Sequence, residues 1–223
     1  MTSEFIHRFV PAKGEGAPPL LLLHGTGGDE NDLVQLGAMV SPNSALLSPR
    51  GRVLENGMPR FFRRLAEGVF DEDDVRRRAL ELADFVEVER RRYGIGRPIA
   101  LGYSNGANIA AAMMLLRPDA LAGAALLRAM VPLSDLLRPD LSGVRVLIAS
   151  GMADPIVPPS NSTRLAAMLR AAGANVGHET LPVGHQLSRA DLDLVREWIR
   201  TVHTCEPVAT RYAVPATDRR DTR

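Results

Sequence analysis

Short apolar runs alternate with longer segments of helical periodicity along this chain. Six runs predict strands, the last of them weaker: PPLLLLH, SALLSP, PIALGY, LAGAALLRA, VRVLIASG and NVGHETLP. Such alternation is typical of a mostly parallel sheet that is covered by helices on both faces. The pattern therefore predicts an α/β protein with a doubly wound sheet.

Helical periodicity is clearest from Asp73 to Tyr93, where acidic residues precede the segment and arginines end it. Three further stretches predict helices: NGANIAAAMMLL, NSTRLAAMLRAAGA and SRADLDLVREWIRTV. We also expect a helix after the Gly-rich loop at 25–28, with Asp29 or Asn31 as its N-cap. The stretch RGRVLENGMPRFFRRLAEGVF shows no clear period, which predicts a long loop with one helical turn at most.

The C-terminal stretch differs in character from the rest of the chain. Residues 206–223 lack periodic apolar positions and are rich in polar residues and proline, so we expect a flexible tail there. Docking of Tyr212 and Val214 on the domain or on a neighbouring subunit is the alternative. Residues 1–205 are expected to form a single α/β domain, for which this length is sufficient.

Composition narrows the classes of partner. Of the 223 residues, 45% are hydrophobic and 24% are charged, and the formal net charge is +1, so neither nucleic acid nor an anionic membrane is indicated as the main partner. The single cysteine, Cys205, requires no oxidising compartment. The N-terminal stretch lacks the features of a signal peptide, and no apolar run reaches the roughly 18 residues that span a membrane. A cytoplasmic protein without membrane insertion is expected.

A serine stands between two glycines in Gly102-Tyr103-Ser104-Asn105-Gly106, where an apolar run ends and a helical run begins. A surface turn is one interpretation, because turns favour both residue types. The other is a nucleophile on a strained strand-to-helix corner, where small neighbours let the strand and the helix approach. The flanking strand and helix favour the second interpretation.

A serine nucleophile needs a base and an acid that orients the base. Of the five histidines, His185 is the best candidate base, because it follows Gly184 in a loop between the last strand and the last helix. Asp154 is the best acid, because it comes just after a buried strand and therefore lies on the same rim as Ser104. The other acids considered are Asp119, Asp135, Asp140 and Glu179.

Acyl transfer also needs donors for the negative charge that develops on the substrate oxygen. We expect the amide of Asn105 to supply one donor and the amide of Thr26, in the stretch HGTGG, to supply the other. A phosphate-binding loop is the alternative for HGTGG, but the stretch lacks the Gly-Lys-Ser/Thr ending of that motif. His24 is expected to support this loop.

Together, LLLHGTGG, GYSNGAN, SGMADPIVP and GHQLS resemble the α/β-hydrolase superfamily, and within it the small carboxylesterase/phospholipase branch. This resemblance implies a sheet flanked by helices, here of about six to seven strands, with no large lid. It implies a Ser104–His185–Asp154 triad and an oxyanion hole from Thr26 and Asn105, with neither metal nor cofactor. Homodimers are compatible with this branch.

The substrate is expected to be a small carboxylic ester with a short acyl chain or an aryl group. Phe61, Phe62 and Met130 are candidates for an apolar wall of the substrate site, together with Phe70, and the alternative is that they belong to the core. Three arginines, Arg50, Arg60 and Arg63, are candidates for attracting an acidic substrate, or are ordinary surface residues.

Two rival functions use the same motifs. One is the hydrolysis of thioesters or lipid esters, as in acyl-protein thioesterases and lysophospholipases. The other is a hydrolase-fold protein that binds a ligand with an idle triad.

Overall fold

The computed structural model describes residues 5–135 and 138–204, with only the backbone described for residues 203 and 204. Within these ranges the chain forms eleven strands and five helices. The strands are β1 (His7–Val10), β2 (Leu20–Leu23), β3 (Leu46–Pro49), β4 (Val53–Glu55), β5 (Met58–Arg60), β6 (Arg64–Ala66), β7 (Val69–Phe70), β8 (Ile99–Tyr103), β9 (Gly123–Leu127), β10 (Arg145–Gly151) and β11 (Asn175–Leu181). The helices are α1 (Val34–Val40), α2 (Glu72–Arg92), α3 (Asn105–Leu116), α4 (Pro159–Ala171) and α5 (Arg189–Thr204).

Seven strands form the central sheet in the order β1-β3-β2-β8-β9-β10-β11. The strand β1 is antiparallel to β3, and all other neighbours are parallel. This mostly parallel sheet of seven strands confirms the predicted fold class and strand number. Because the strands are parallel, the carboxyl ends of β2, β8, β9, β10 and β11 share one edge of the sheet.

Both faces of the sheet are buried, which explains why its strands are continuous apolar runs. In β2, Leu21 and Leu23 face the larger hydrophobic cluster, which also takes in side chains of α2, α3 and α4. The alternate residues, Leu20 and Leu22, face a second cluster with side chains of α1 and α5. The helices thus cover the sheet from both sides, as the alternating pattern predicted.

The helix α2 has acidic residues at its start and arginines at its end, as its sequence predicted. The side chain of Asp71 accepts a hydrogen bond from the amide of Asp74 at 3.1 Å, and the last turn of the helix carries Arg90, Arg91 and Arg92. The predicted caps of α1 are wrong. Its N-cap is Leu33, with no side-chain cap, because the Asp29 carboxylate binds the amide of Asn31 within the preceding turn instead.

The segment between Gly51 and Asp71 corrects another expectation. It forms two hairpins, β4–β5 and β6–β7, rather than a loop with a helical turn. Asn56 and Gly57 both have positive φ, 51° and 79°, at the two-residue turn of the first hairpin. An Asn-Gly pair is the turn sequence that fits the twist of paired strands, so the signal was present in the sequence.

Two further points concern the rest of the chain. No helix in the described ranges is long and apolar enough to cross a membrane. The predicted tail at 206–223 and Cys205 lie outside the described residues.

Candidate active site

Ser104 lies between the end of β8 and the first residue of α3, at the carboxyl edge of the sheet. Its backbone has φ 52° and ψ −113°, which few residues other than glycine adopt. Strain of this kind costs about 1–3 kcal/mol and persists only where the surroundings enforce it. We call residues 102–106 the serine corner.

Glycine is required on both sides of Ser104 by close backbone contacts. A Cβ at Gly106 would overlap the carbonyl of Leu23 in the neighbouring strand, and a Cβ at Gly102 would lie 2.7 Å from the Cα of Ala107. The strand and the helix therefore meet at a distance that leaves no room for a side chain. This is the steric arrangement that the two glycines predicted.

The structure brings Ser104, His185 and Asp154 together. The Nε2 atom of His185 lies 3.0 Å from the Ser104 Oγ, and its Nδ1 lies 2.8 Å from Asp154 Oδ2. Asp154 follows β10, and His185 lies in the connection from β11 to α5, here called the histidine loop (residues 182–188). The side chain of His185 is 15% exposed and that of Asp154 is 1% exposed, so the ring has access to solvent while the acid is enclosed.

Asp154 is held as an anion. Its Oδ1 accepts hydrogen bonds from the amides of Ile156 at 2.8 Å and Val157 at 3.0 Å. Burial acts to raise the pKa of Asp154, but these two amides and the bond to His185 outweigh it and hold the pKa below its ordinary value. An ionised Asp154 favours the His185 tautomer with its proton on Nδ1, which leaves Nε2 free to accept the hydroxyl proton of Ser104.

Of the other histidines, His7 and His178 make their contacts elsewhere. The Nε2 of His7 contacts the hydroxyl of Tyr93 at 2.9 Å, and the Nε2 of His178 contacts the Ser150 hydroxyl at 2.9 Å, while burial lowers the pKa of His178. The side chain of His203 is outside the described part of the chain. His185 is thus the histidine that the fold delivers to the serine.

Thr26 and Asn105 line the same cavity as Ser104. Asn105 is the first residue of α3, where backbone N–H groups have no acceptor inside the helix. Its side chain is turned away from solvent, and its Oδ1 accepts a hydrogen bond from the amide of Phe61 at 2.7 Å. The hydroxyl of Thr26 accepts a bond from Arg60 at 2.7 Å, which helps to fix the stretch HGTGG.

His24 supports this Gly-rich stretch, as predicted. It is 1% exposed, its Nδ1 contacts the carbonyl of Gly25 at 2.6 Å, and its Nε2 accepts the amide of Gly51 at 2.9 Å. Desolvation lowers the pKa of His24. A neutral ring with the proton on Nδ1 satisfies both contacts, since that nitrogen then donates to Gly25.

The cavity in front of Ser104 has a volume of about 220 Å³. Phe61 and Phe62 do not line it: they are 2% and 0% exposed and belong to the core, which corrects their assignment to the substrate site. Met130 does line the cavity, as predicted. The remaining apolar lining residues are Phe70, Ile156 and Val157, and the polar ones include Arg64, Glu67, Asn108 and Arg128.

The three candidate arginines are engaged by protein groups. Arg50 binds Glu30 through two nitrogens, and Arg63 binds Asp71. Arg60 reaches the cavity but is 3% exposed, and its guanidinium binds Thr26 and Glu55, while burial lowers its pKa. None of the three presents an uncommitted charge to a substrate.

Two residues near the site were missed in the sequence. Arg128 is wholly buried beside the cavity and forms an ion pair with Asp191, which is equally buried. The signal was a single arginine inside the apolar run LAGAALLRA, because a charge within such a run must find a buried partner.

Within the described residues, no group of three or more His, Cys, Asp or Glu side chains is placed to hold a metal ion.

The chain is similar to known proteins in sequence and in structure. A family model described as phospholipase/carboxylesterase matches residues 6–203. A Bacillus subtilis (strain 168) protein named "Putative hydrolase MhqD" is 47% identical over 195 residues, which cover 86% of this chain and 98% of that protein.

Solved structures agree with the sequence relatives. A carboxylesterase from Bacillus cereus is 44% identical with a TM-score of 0.87, and the match covers 90% of this chain and 95% of the other. A carboxylesterase from Mesorhizobium loti is 33% identical with a TM-score of 0.83, over 90% of this chain and 99% of the other.

Proposed function

The chain belongs to the phospholipase/carboxylesterase family of α/β-hydrolases and is a carboxylic ester hydrolase, and from this premise we propose that it is a serine esterase for small esters. In this proposal Ser104 is the nucleophile, His185 the general base and Asp154 the residue that orients the base. The observation that carries the proposal is the hydrogen-bonded chain from Asp154 through His185 to a serine on a strained corner.

The first chemical step is the attack of Ser104 on the ester carbonyl. As the Oγ–carbon bond forms, Nε2 of His185 takes the hydroxyl proton, and the carbonyl π electrons move to oxygen. The imidazolium that results lies against the Asp154 carboxylate, which stabilises its charge. The low pKa of Asp154 supports this role, because the acid remains ionised throughout the step.

The oxyanion of the tetrahedral intermediate needs donors, and we assign these to the amides of Thr26 and Asn105. Both residues line the cavity beside Ser104, and the Asn105 amide stands at the start of α3, where the helix dipole favours negative charge. A donor of this kind is typically worth about 2.7–4 kcal/mol of transition-state stabilisation.

Collapse of the intermediate completes the acyl transfer. His185 returns its proton to the departing alkoxide, the alcohol leaves, and an acyl-enzyme ester remains on Ser104. Water then attacks this ester, with His185 again taking the proton, and the carboxylic acid is released as the serine regains its hydrogen. Both products are accounted for by the substrate and one water.

The size and lining of the cavity support short acyl or aryl esters. Its volume of about 220 Å³ is below the roughly 300–1,000 Å³ typical of sites for drug-sized ligands. Phe70, Met130 and Ile156 supply apolar surface beside Ser104. A small group of a few carbons or one ring can be enclosed there, whereas a long chain must extend out of the cavity.

The test is hydrolysis of p-nitrophenyl esters from C2 to C12 by the wild type and Ser104→Ala. We expect kcat/KM to be highest for short chains and the substitution to lower kcat by about 10⁶-fold. Ser150→Ala is the matched control, because it removes another buried hydroxyl that contacts a histidine, His178, and is expected to retain activity.

Four results would contradict parts of the proposal. Turnover that survives Ser104→Ala would remove the serine mechanism, and failure of a fluorophosphonate to label Ser104 would favour a ligand-binding protein with an idle triad. Faster turnover of C12 than of C2 or C4 would exclude the small-ester assignment. A matched thioester that reacts faster than its oxygen ester would favour the thioesterase alternative.

A further inference from the structure

Arg128 is a fully buried arginine that immediately follows β9 at the edge of the cavity. Its Nε donates to the carbonyl of Gly184 at 2.9 Å. Its Nη1 donates to the carbonyl of Ala149 at 3.2 Å and to Asp191 Oδ1 at 2.8 Å, and its Nη2 donates to Asp191 Oδ2 at 2.9 Å and to the carbonyl of Gln186 at 3.3 Å. A guanidinium has five N–H donors, so every one is used by the protein.

Two of the five acceptors are the carbonyls on either side of His185. Because a guanidinium is planar and rigid, it fixes both carbonyls relative to one plane. We infer that Arg128, held by Asp191, is a positioning residue that fixes the histidine loop so that His185 reaches Ser104. This inference rests on the proposed function, since it assigns Arg128 to the placement of the proposed base.

Asp191 extends the same network to the other end of the histidine loop. Its Oδ2 accepts hydrogen bonds from both the amide and the hydroxyl of Ser188 at 2.8 Å. Asp191 lies in the first turn of α5, where a carboxylate is favoured by the helix dipole. The loop is therefore tied on both sides of His185 to one ion pair that is anchored in a helix.

The energetics of the ion pair favour a positioning role over a stabilising one. A buried ion pair often contributes no net stability compared with apolar residues of the same volume, because both charges lose their hydration. Arg128 also has φ 58°, a left-handed conformation that is unfavourable for a residue other than glycine. The desolvation of the ion pair and the unfavourable backbone conformation of Arg128 both occur directly beside the proposed catalytic base.

Direct binding of an anionic substrate is the competing interpretation, because Arg128 lines the cavity. The bonding pattern argues against it. With all five donors committed to Asp191 and three carbonyls, a substrate could bind the guanidinium only by breaking a bond within the protein. The two interpretations predict different kinetics, since loss of a substrate contact raises KM and loss of positioning lowers kcat.

The test is Arg128→Lys, which keeps the charge but has three donors instead of a planar fork. We expect kcat for p-nitrophenyl acetate to fall by about 10²-fold, the typical cost of displacing a catalytic group by about 1 Å, with KM within about threefold of wild type. The matched control is Leu82→Ala on helix α2, because Leu82 is a buried core residue that does not line the cavity. It is expected to retain kcat at a temperature where both variants are folded.

A second pair of substitutions covers the case in which Arg128→Lys does not fold. Arg128→Met combined with Asp191→Leu replaces the ion pair with apolar side chains of similar size, which proteins often tolerate. We expect the same loss of kcat, because the carbonyls of Gly184 and Gln186 lose the guanidinium that binds both. A proton NMR signal from the His185 Nδ1–H, present in Leu82→Ala and weakened in the variants, would locate the defect at the histidine.

The results separate this inference from the proposed function. If Ser104→Ala is inactive while Arg128→Lys keeps the kcat of Leu82→Ala, the serine mechanism stands and the positioning role is overturned. An increase in KM with unchanged kcat would overturn it equally and would assign Arg128 to substrate binding. If Ser104→Ala is as active as wild type, the proposed function itself fails.

Discussion

The serine corner and the histidine loop lie on the same rim of the sheet but are held by different contacts. At the corner, backbone packs directly on backbone, and the positions of Gly102 and Gly106 leave no room for a Cβ. The histidine loop is held by side chains that come from other elements: Arg128, Asp191 and Tyr103, whose hydroxyl donates to the carbonyl of His185 at 3.2 Å.

Two residues of one site are therefore positioned in two different ways, Ser104 by close backbone packing and His185 by side-chain hydrogen bonds. The corner is fixed by exclusion, so its geometry changes only if the strand and helix move apart. The loop is fixed by hydrogen bonds, and the loss of any one of them is expected to shift His185 only partly. We therefore expect substitutions at the corner to affect stability and activity together, and substitutions around the loop to affect kcat before stability.

Among the substitutions that test this comparison, the largest effect is expected at Asp154, the proposed orienting acid. Asp154→Asn keeps the size of the side chain but removes its charge, and its amide can donate to His185 and so stabilise the wrong tautomer. We expect kcat to fall by about 10⁴-fold, as in triads where an acid is replaced by its amide, with little loss of stability. Steady-state kinetics and urea unfolding of the same preparation measure both.

The control for this substitution is Asp140→Asn. Asp140 also accepts a backbone amide, from Ser142, but lies in an exposed turn away from the cavity. It is expected to retain wild-type kcat. An Asp154→Asn variant that is within tenfold of wild type would show that the histidine loop holds the correct tautomer without the acid, and the proposed role of Asp154 would be wrong.

A smaller effect on kcat, with a larger one on stability, is expected at the corner. Gly106→Ala adds a methyl group that overlaps the backbone of Leu23 and His24, so α3 must shift. Overpacking typically costs about 1–3 kcal/mol and occasionally more, and the same shift should lower kcat by about 10²-fold. Urea unfolding and ester kinetics on one preparation test the coupled loss.

Gly96→Ala is the matched control for the corner. A Cβ at Gly96 would have no atom within 4 Å, so the variant is expected to equal or slightly exceed wild-type stability. If Gly106→Ala were as stable and active as Gly96→Ala, the corner would not be fixed by exclusion. The contrast with the histidine loop would then disappear.

The same contrast explains what the sequence could reveal. The corner depends on neighbours in the chain, so the pentapeptide around Ser104 with its flanking strand and helix was enough to predict it. The alternation of apolar runs predicted the sheet for the same reason. Asp154 and His185 follow strands whose ends the parallel topology brings to one edge.

Features that depend on distant partners were missed or assigned wrongly. Phe61 follows Arg60, which lines the cavity, yet Phe61 itself is buried in the core. Its burial depends on the packing of the β4–β5 hairpin, a segment that the sequence predicted as a loop. Arg128 is bound by residues 21 to 63 positions away, and no local pattern contains that information. Local rules thus predicted the serine corner but not the network around His185.

The smallest effect is expected at His24, which extends the comparison to the Gly-rich stretch HGTGG. Here a polar side chain again supports a loop, but it does so as a neutral group, because burial lowers its pKa in the folded protein. As pH falls below the unfolded value of about 6.5, the unfolded chain takes up a proton that the folded protein resists. His24 therefore contributes stability above that pH, which is lost as pH falls through the folded pKa.

We expect the free energy of unfolding to decrease between pH 7.5 and 5 in the wild type, and less steeply in His24→Gln, by at most one proton or about 1.4 kcal/mol per pH unit. His178→Gln is the control. Burial lowers the pKa of His178 as well, so this substitution is expected to remove a separate contribution to the pH dependence of the free energy of unfolding. Urea unfolding across this range avoids the titration of Asp154, whose pKa is lower. If the free energy of unfolding changed with pH as steeply in His24→Gln as in the wild type, His24 would have the same protonation state in the folded protein as in the unfolded chain. The proposal that His24 supports the loop as a neutral group would then be wrong.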